Sequence, residues 1–117
     1  MIYSIEEIKR RIAPIIEKYR IPAMYLFGSY ARGEAAEESD IDFLVDTAGT
    51  ELTSLLRLGA LYCDLEEVFG KRIDLITVQS LNQRSTMESD HDFKDTVLQE
   101  MIPLRMSVDQ HRIKYTT

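Results

Sequence analysis

Three carboxylates stand where short apolar runs meet polar loops. Met24-Tyr25-Leu26-Phe27 leads into Gly28-Ser29. Asp40-Ile41-Asp42 opens a second apolar run, Phe43-Leu44-Val45. Asp74 is the lone acid within a third, Arg72-Ile73-Asp74-Leu75-Ile76. Side chains two apart on a strand share a face, so Asp40 and Asp42 project together with Ile41 behind them. Asp74 joins them if its strand lies alongside. Packed carboxylates repel, by about 4 kcal/mol per pair at ~4 Å and an effective dielectric of ~20. A divalent cation, or good hydration, makes such a cluster tolerable. Magnesium suits the first case, because it takes oxygen ligands and is held by one or two carboxylates plus substrate phosphates. Two ions ~4 Å apart would serve an in-line displacement at phosphorus. Gly28 lets backbone approach a phosphate, the Ser29 hydroxyl can donate to it, and a helix start beyond offers free N–H groups. The pattern points to magnesium and a nucleoside triphosphate.

Taken singly, each feature has an ordinary reading. An Asp-x-Asp pair is most often solvated, and Gly28-Ser29 alone is a turn. Asp74 alone would pair with Arg72 or Lys71. Arg32 either braces the loop through hydrogen bonds or touches the nucleotide. Tyr30 either stacks on a base or packs into the core. Glu37 and Glu38 read as solvated acids. His91 and His111 lack companion ligands and read as surface residues. Met87, Met101 and Met106 read as packing residues. Cys63, among Leu61, Tyr62 and Leu65, reads as a packed core thiol.

Several elements must position these groups. Ser4-Ile5-Glu6-Glu7 is a capping box, with Glu7 reaching back. Ile5, Ile8, Ile12, Ile15, Ile16 and Tyr19 then follow at helical spacing, with Pro14 as an interruption and Ile21-Pro22 as the end. Residues 23–27 form a strand, 30–33 a short helix, 34–39 an irregular loop, 40–45 a second strand and 46–49 a loop. Thr50 to Phe69 is the clearest helix, its wide apolar face including Leu52, Leu55, Leu56, Leu58, Leu61 and Leu65, with Gly70 as its stop. Residues 72–78 form a third strand. Residues 80–90 read as a polar loop. Asp90 or Asp92 caps a last helix through about Met101, and Pro103 closes it. Leu104, Met106 and Val108 alternate as an edge strand. The expected fold is α/β (α+β): a small mixed sheet flanked by helices in α-β-α-β-α-β-α order, one domain over residues 1–108 and a frayed tail over 109–117.

The chain has 117 residues, enough for one modest core. Its formal net charge of -6 argues against gripping a long nucleic acid, which needs a basic face. A small nucleotide held through a metal stays compatible. No apolar run approaches membrane length, no signal peptide is evident, and a single cysteine allows no internal disulfide. A cytoplasmic location is the expectation.

Gly28-Ser29, the ten positions Tyr30 to Ser39, and Asp40-Ile41-Asp42 match the Gly-Ser-x10-Asp-x-Asp signature of the nucleotidyltransferase superfamily that includes DNA polymerase beta. Asp74 matches its third acid. The wording Gly-Ser-Tyr-Ala-Arg-Gly-Glu and Ser-Asp-Ile-Asp-Phe-Leu-Val resembles the branch called minimal nucleotidyltransferases. The resemblance spans roughly Met1 to Leu104 and is firmest from Ala23 to Val78. It implies transfer of a nucleoside monophosphate from a triphosphate to an acceptor hydroxyl. Asp40 and Asp42 would hold two magnesium ions, and Asp74 would complete one site and take the acceptor proton. Gly28 and Ser29, with Arg32, would bind ATP. Larger relatives carry a further helical domain for the acceptor, and this chain is too short for one. The branch implies a partner, a helical HEPN-type ribonuclease toxin silenced by AMP on a tyrosine, with this chain as antitoxin. Two alternatives remain open here: a small acceptor such as an antibiotic, with a homo-oligomer or partner subunit completing the pocket, and a non-catalytic antitoxin that occludes its partner.

Overall fold

The computed structural model describes residues 1–84 and 91–106. Ser4 is extended, and its Oγ accepts the Glu7 N–H at 3.1 Å, so helix α1 (Ile5–Tyr19) starts at the capping signal. Glu7 does not reach back as expected. Its carboxylate accepts instead from Arg10 and Arg11, cations one turn along the same face. Pro14 does not interrupt α1. The helix closes at Arg20 in left-handed geometry, φ 54°.

Strand β1 (Ala23–Phe27), helix α2 (Gly28–Arg32), strand β2 (Ile41–Asp46), a 3-10 turn (Glu51–Thr53), helix α3 (Leu55–Phe69), strand β3 (Ile73–Thr77), helices α4 (Val78–Arg84) and α5 (His91–Glu100), and strand β4 (Ile102–Met106) follow. The sheet order is β3-β2-β1-β4. β1 is antiparallel to both β2 and β4, and β2 is parallel to β3. The sheet is therefore mixed, as expected.

Two helical layers explain why β1 is apolar throughout. Met24 and Leu26 face α1 and α3 in one core cluster, with Ile8, Ile12, Leu61 and Leu65. Ala23, Tyr25 and Phe27 face the opposite layer, with Leu81 of α4 and Val97 of α5. A strand covered on both faces loses the alternating pattern of a half-exposed one. Each fully buried Ile or Leu contributes about 1.5–3 kcal/mol of hydrophobic stabilisation.

The structure departs from the sequence expectations at several elements. Residues 80–84 are helical where a loop was expected, and Val78, expected to end the third strand, opens that helix: Leu81 is buried and the Thr77 hydroxyl accepts the Ser80 N–H at 2.9 Å. The rest of that expected loop, residues 85–90, lies outside the described residues, as do Met87, Asp90, Val108, His111, the tail from 109 and the side chains of His91 and Asp92. The helix expected from Thr50 is broken: Ser54 turns extended and caps α3 afresh, its Oγ accepting the Arg57 N–H. Leu55 and Leu56 consequently point to solvent, not inward. Cys63 is exposed rather than packed, because it lies opposite the buried Leu61–Leu65 stripe of α3. Pro103 does not close α5, which ends at Glu100. It lies within β4, an edge strand whose pairing shifts register beside it, where a missing N–H is tolerated. Met101 and Met106 do pack, against the second core cluster. No helix among the described residues is long and apolar enough to cross a membrane.

Candidate active site

The parallel pairing of β2 with β3 sets Asp42 directly beside Asp74 in register. Ile41 and Phe43 face the α1–α3 layer while Leu44 and Ile76 face the other, so both aspartates belong to the α4–α5 side of the sheet. Asp40 is the residue before β2, on the same side by alternation. Asp42 is also opposite Phe27, the last residue of β1, so the strand carrying Gly28-Ser29 ends at the acid pair.

Gly28 makes the closest approach. It has φ +73°, and a Cβ added there would lie 2.0 Å from Asp42 Oδ2. No side chain fits between this turn and the carboxylate. The requirement for glycine is thus steric at Asp42 as well as conformational. Ser29 follows in the first turn of α2, half-buried, and its hydroxyl bonds to no described residue.

The electrostatics show crowding. Burial, then the charges of Asp74 and Asp40, push the Asp42 carboxyl up to about 6, with Arg32 opposing them. None of the three aspartate side chains makes an ion pair or hydrogen bond with a described residue. The ordinary reading of Asp74 is therefore excluded within the described chain: Lys71 Nζ instead bonds the carbonyl oxygens of Glu37 at 2.6 Å and Ser39 at 3.3 Å. Among the described residues, no group of three or more His, Cys, Asp or Glu side chains is placed to hold a metal ion by itself. The donors are nonetheless all oxygen, uncompensated and open on one side. That fits a magnesium ion which draws its remaining ligands from phosphate and water.

Arg32 makes bracing contacts. Its Nε donates to Glu34 at 2.9 Å and its guanidinium to both oxygens of Glu100 at 3.1 and 3.2 Å, tying α2 to the end of α5. Tyr30 packs in the core, its hydroxyl buried without a partner, and so is not placed to stack on a base. Glu38 is exposed, as is Glu37, which pairs with the terminal amine of Met1.

Lys71 and Glu100 were missed by sequence reasoning. Lys71 clamps the loop that delivers Asp40, and Glu100 anchors Arg32. Both partnerships cross more than thirty positions of chain, and no local spacing signals them. A cleft of ≈ 390 Å³ opens beside Asp74, lined also by Leu58, Thr77, Ser80 and Phe93. Leu58 and Phe93 come from opposite helical layers, so the cleft wraps the free edge of β3.

Known proteins similar to this chain share its fold. A Methanocaldococcus jannaschii protein provisionally named a protein adenylyltransferase is 42% identical over 99 residues, covering 85% of this chain and 96% of its own length. A toxin–antitoxin crystal structure with AMP-PNP superposes with TM-score 0.67 at 22% identity, over 90% of this chain and 78% of that one. A structure of a tri-AMPylated Shewanella oneidensis HEPN toxin in complex with its MNT antitoxin superposes with TM-score 0.56 at 20% identity, over 90% and 77%. These two likenesses establish the fold. The family described as polymerase beta, nucleotidyltransferase matches residues 10–100, and this chain belongs to it.

Proposed function

We propose that this chain transfers AMP from ATP to a hydroxyl of a HEPN-type partner protein, a tyrosine by preference, and so acts as an antitoxin. The observation that carries the reading is the register pair Asp42–Asp74 with Gly28 packed against Asp42. The adenylyltransferase name of the relative and the AMPylated HEPN toxin bound to a fold neighbour support the choice of nucleotide and acceptor.

Asp40 and Asp42 would hold two magnesium ions, with Asp74 completing one site. When bound, the ions neutralise the triphosphate and steady the charge that develops on the leaving pyrophosphate. Gly28 and Ser29 hold the terminal phosphates through backbone N–H groups and the serine hydroxyl. Arg32 supports that turn from behind through Glu34 and Glu100 and adds positive charge beside the phosphates. Asp74, exposed at the cleft, accepts the proton of the acceptor hydroxyl. The acceptor oxygen bonds to the α-phosphorus as the bond to the bridging oxygen breaks, and pyrophosphate leaves.

The test is incubation of the purified chain with α-labelled ATP, magnesium and a purified HEPN-type protein. Label on that protein is the expected result. Label confined to small molecules, or none, contradicts the proposal.

A further inference from the structure

A second cavity, of ≈ 480 Å³, lies where the end of α1 meets the start of α3 and the turn before it. Its wall includes Tyr19 and Leu52, which belong to the core cluster on the α1–α3 side of the sheet, so it stands across the sheet from the three aspartates. Three cations line it, Lys18, Arg20 and Arg57, against one acid, Glu51. The chain as a whole has 20 acids to 14 Lys and Arg. The cavity therefore reverses the balance of the chain, and gathered cations repel as gathered carboxylates do.

Two of the cations are held in place by one ring. Tyr19 is buried, and its hydroxyl donates to Asp64 Oδ2 at 2.6 Å. Lys18 Nζ donates to the same oxygen at 2.8 Å and lies 5.2 Å from the Tyr19 ring centre, while the Arg57 guanidinium lies 5.4 Å from it. Arg57 and Glu51 stand 3.7 Å apart, too far for a hydrogen bond, so that acid leaves the guanidinium donors unused. The Arg20 side chain makes no hydrogen bond or ion pair with a described residue. Yet it occupies φ 54°, the left-handed backbone that closes α1, where glycine is the relaxed choice. No contact within the described fold accounts for an arginine there.

We propose that this cavity binds a metal-free polyphosphate, with the Arg20 and Arg57 guanidinium groups and the Lys18 ammonium bonding oxygens on successive phosphates. A single carboxylate or phosphate matches one guanidinium fork, whereas a chain of phosphates offers oxygens to all three cations at once. Tyr19 is buried and fixed by Asp64, so its ring is not free to stack on a base, and the site reads phosphates rather than a nucleoside. Magnesium takes the same phosphate oxygens and lowers the ligand's charge. The metal dependence is thus the inverse of that proposed for the three aspartates, and the inference does not rest on AMP transfer.

Calorimetric titration of tripolyphosphate into the full chain, with a chelator present, tests it. The variants are Arg20→Gly, Arg57→Gln and, as a control, Lys9→Gln. Lys9 is an exposed cation ~14 Å from Lys18 along α1, beyond the ~10 Å screening length at about 0.1 M salt. The parent chain should bind, each arginine variant should weaken binding by about tenfold or more, and Lys9→Gln should weaken it by less than about twofold. Arg20→Gly should melt no lower than the parent chain, which separates lost binding from lost fold. Metal-free ATP should bind within about threefold of tripolyphosphate, since only phosphates are read. In the Asp42→Asn/Asp74→Asn variant, which lacks the acids for metal-dependent binding, excess magnesium should abolish binding of tripolyphosphate. No heat from the parent chain, full affinity in either arginine variant, equal weakening by Lys9→Gln, or indifference to magnesium overturns the proposal. So does ATP binding tighter than that margin, because the base is then read. Tighter binding of a glutamate oligopeptide than of tripolyphosphate also overturns it, because the cavity then suits an acidic protein segment.

Discussion

Asp42 carries the chemical tension of the molecule. Its carboxyl is pushed up to about 6 by burial first, then by Asp74 and Asp40. The folded chain therefore binds this proton more tightly than the unfolded chain does. In metal-free protein the stabilisation is present below the ordinary value of 3.8 and is lost as pH rises through about 6. Asp42→Asn should remove that slope and raise stability at pH 7 by on the order of 1 kcal/mol for a half-buried, partly screened group, with a corresponding rise in melting temperature. The same variant should lower transfer by about 10³-fold or more, because charge placement supplies much of transition-state stabilisation. Thermal melts across pH 4–8, beside a single-turnover assay, check both halves. Gly28→Ala should do the reverse of a neutral change. Its Cβ would lie 2.0 Å from Asp42 Oδ2 at φ +73°, so both stability and activity should fall, with a stability loss of about 1–3 kcal/mol. Tyr30→Phe, by contrast, removes a buried hydroxyl with no partner and should be neutral or stabilising by about 1 kcal/mol in denaturant unfolding.

At the scale of elements, the loop from Glu34 to Asp40 has no core of its own. Lys71 holds it through two carbonyl oxygens, and the Ile41 N–H bonds the Arg72 carbonyl at 3.1 Å. Lys71→Met should therefore weaken magnesium binding several-fold, measured by calorimetry, while shifting the melting temperature little, because a lysine only partly buried contributes modestly to stability. This support was not legible in the chain, since nothing near Lys71 names a loop thirty residues earlier. The strands bearing the acids were legible, because apolar runs bounded by polar loops mark them. Helix α3 was half legible: its buried Leu61, Leu65 and Phe69 follow the period, but the extended Ser54 resets the phase and leaves Leu55 and Leu56 outside. Helix α4 escaped notice because seven residues with one buried leucine carry too little periodicity.

For the whole molecule, the mixed sheet is what converts a linear signature into a site. The signature names Gly28, Ser29, Asp40, Asp42 and Asp74, but only the parallel β2–β3 pairing brings Asp74 level with Asp42. Strand order could not be read from the alternation of elements, because parallel and antiparallel neighbours both satisfy it. Removing magnesium should abolish transfer while leaving the fold intact, since neither core cluster includes any of the three carboxylates. Circular dichroism with and without a chelator, alongside the transfer assay, checks this.

The account stands on Asp40, Asp42 and Asp74 acting together with Ser29 on a metal-bound triphosphate. Calorimetric titration of magnesium-ATP into the chain and into its Asp42→Asn/Asp74→Asn variant addresses this most directly. The parent chain should bind with measurable heat, and the folded variant should show none. Equal heats in the two, or no heat from the parent chain, would contradict it.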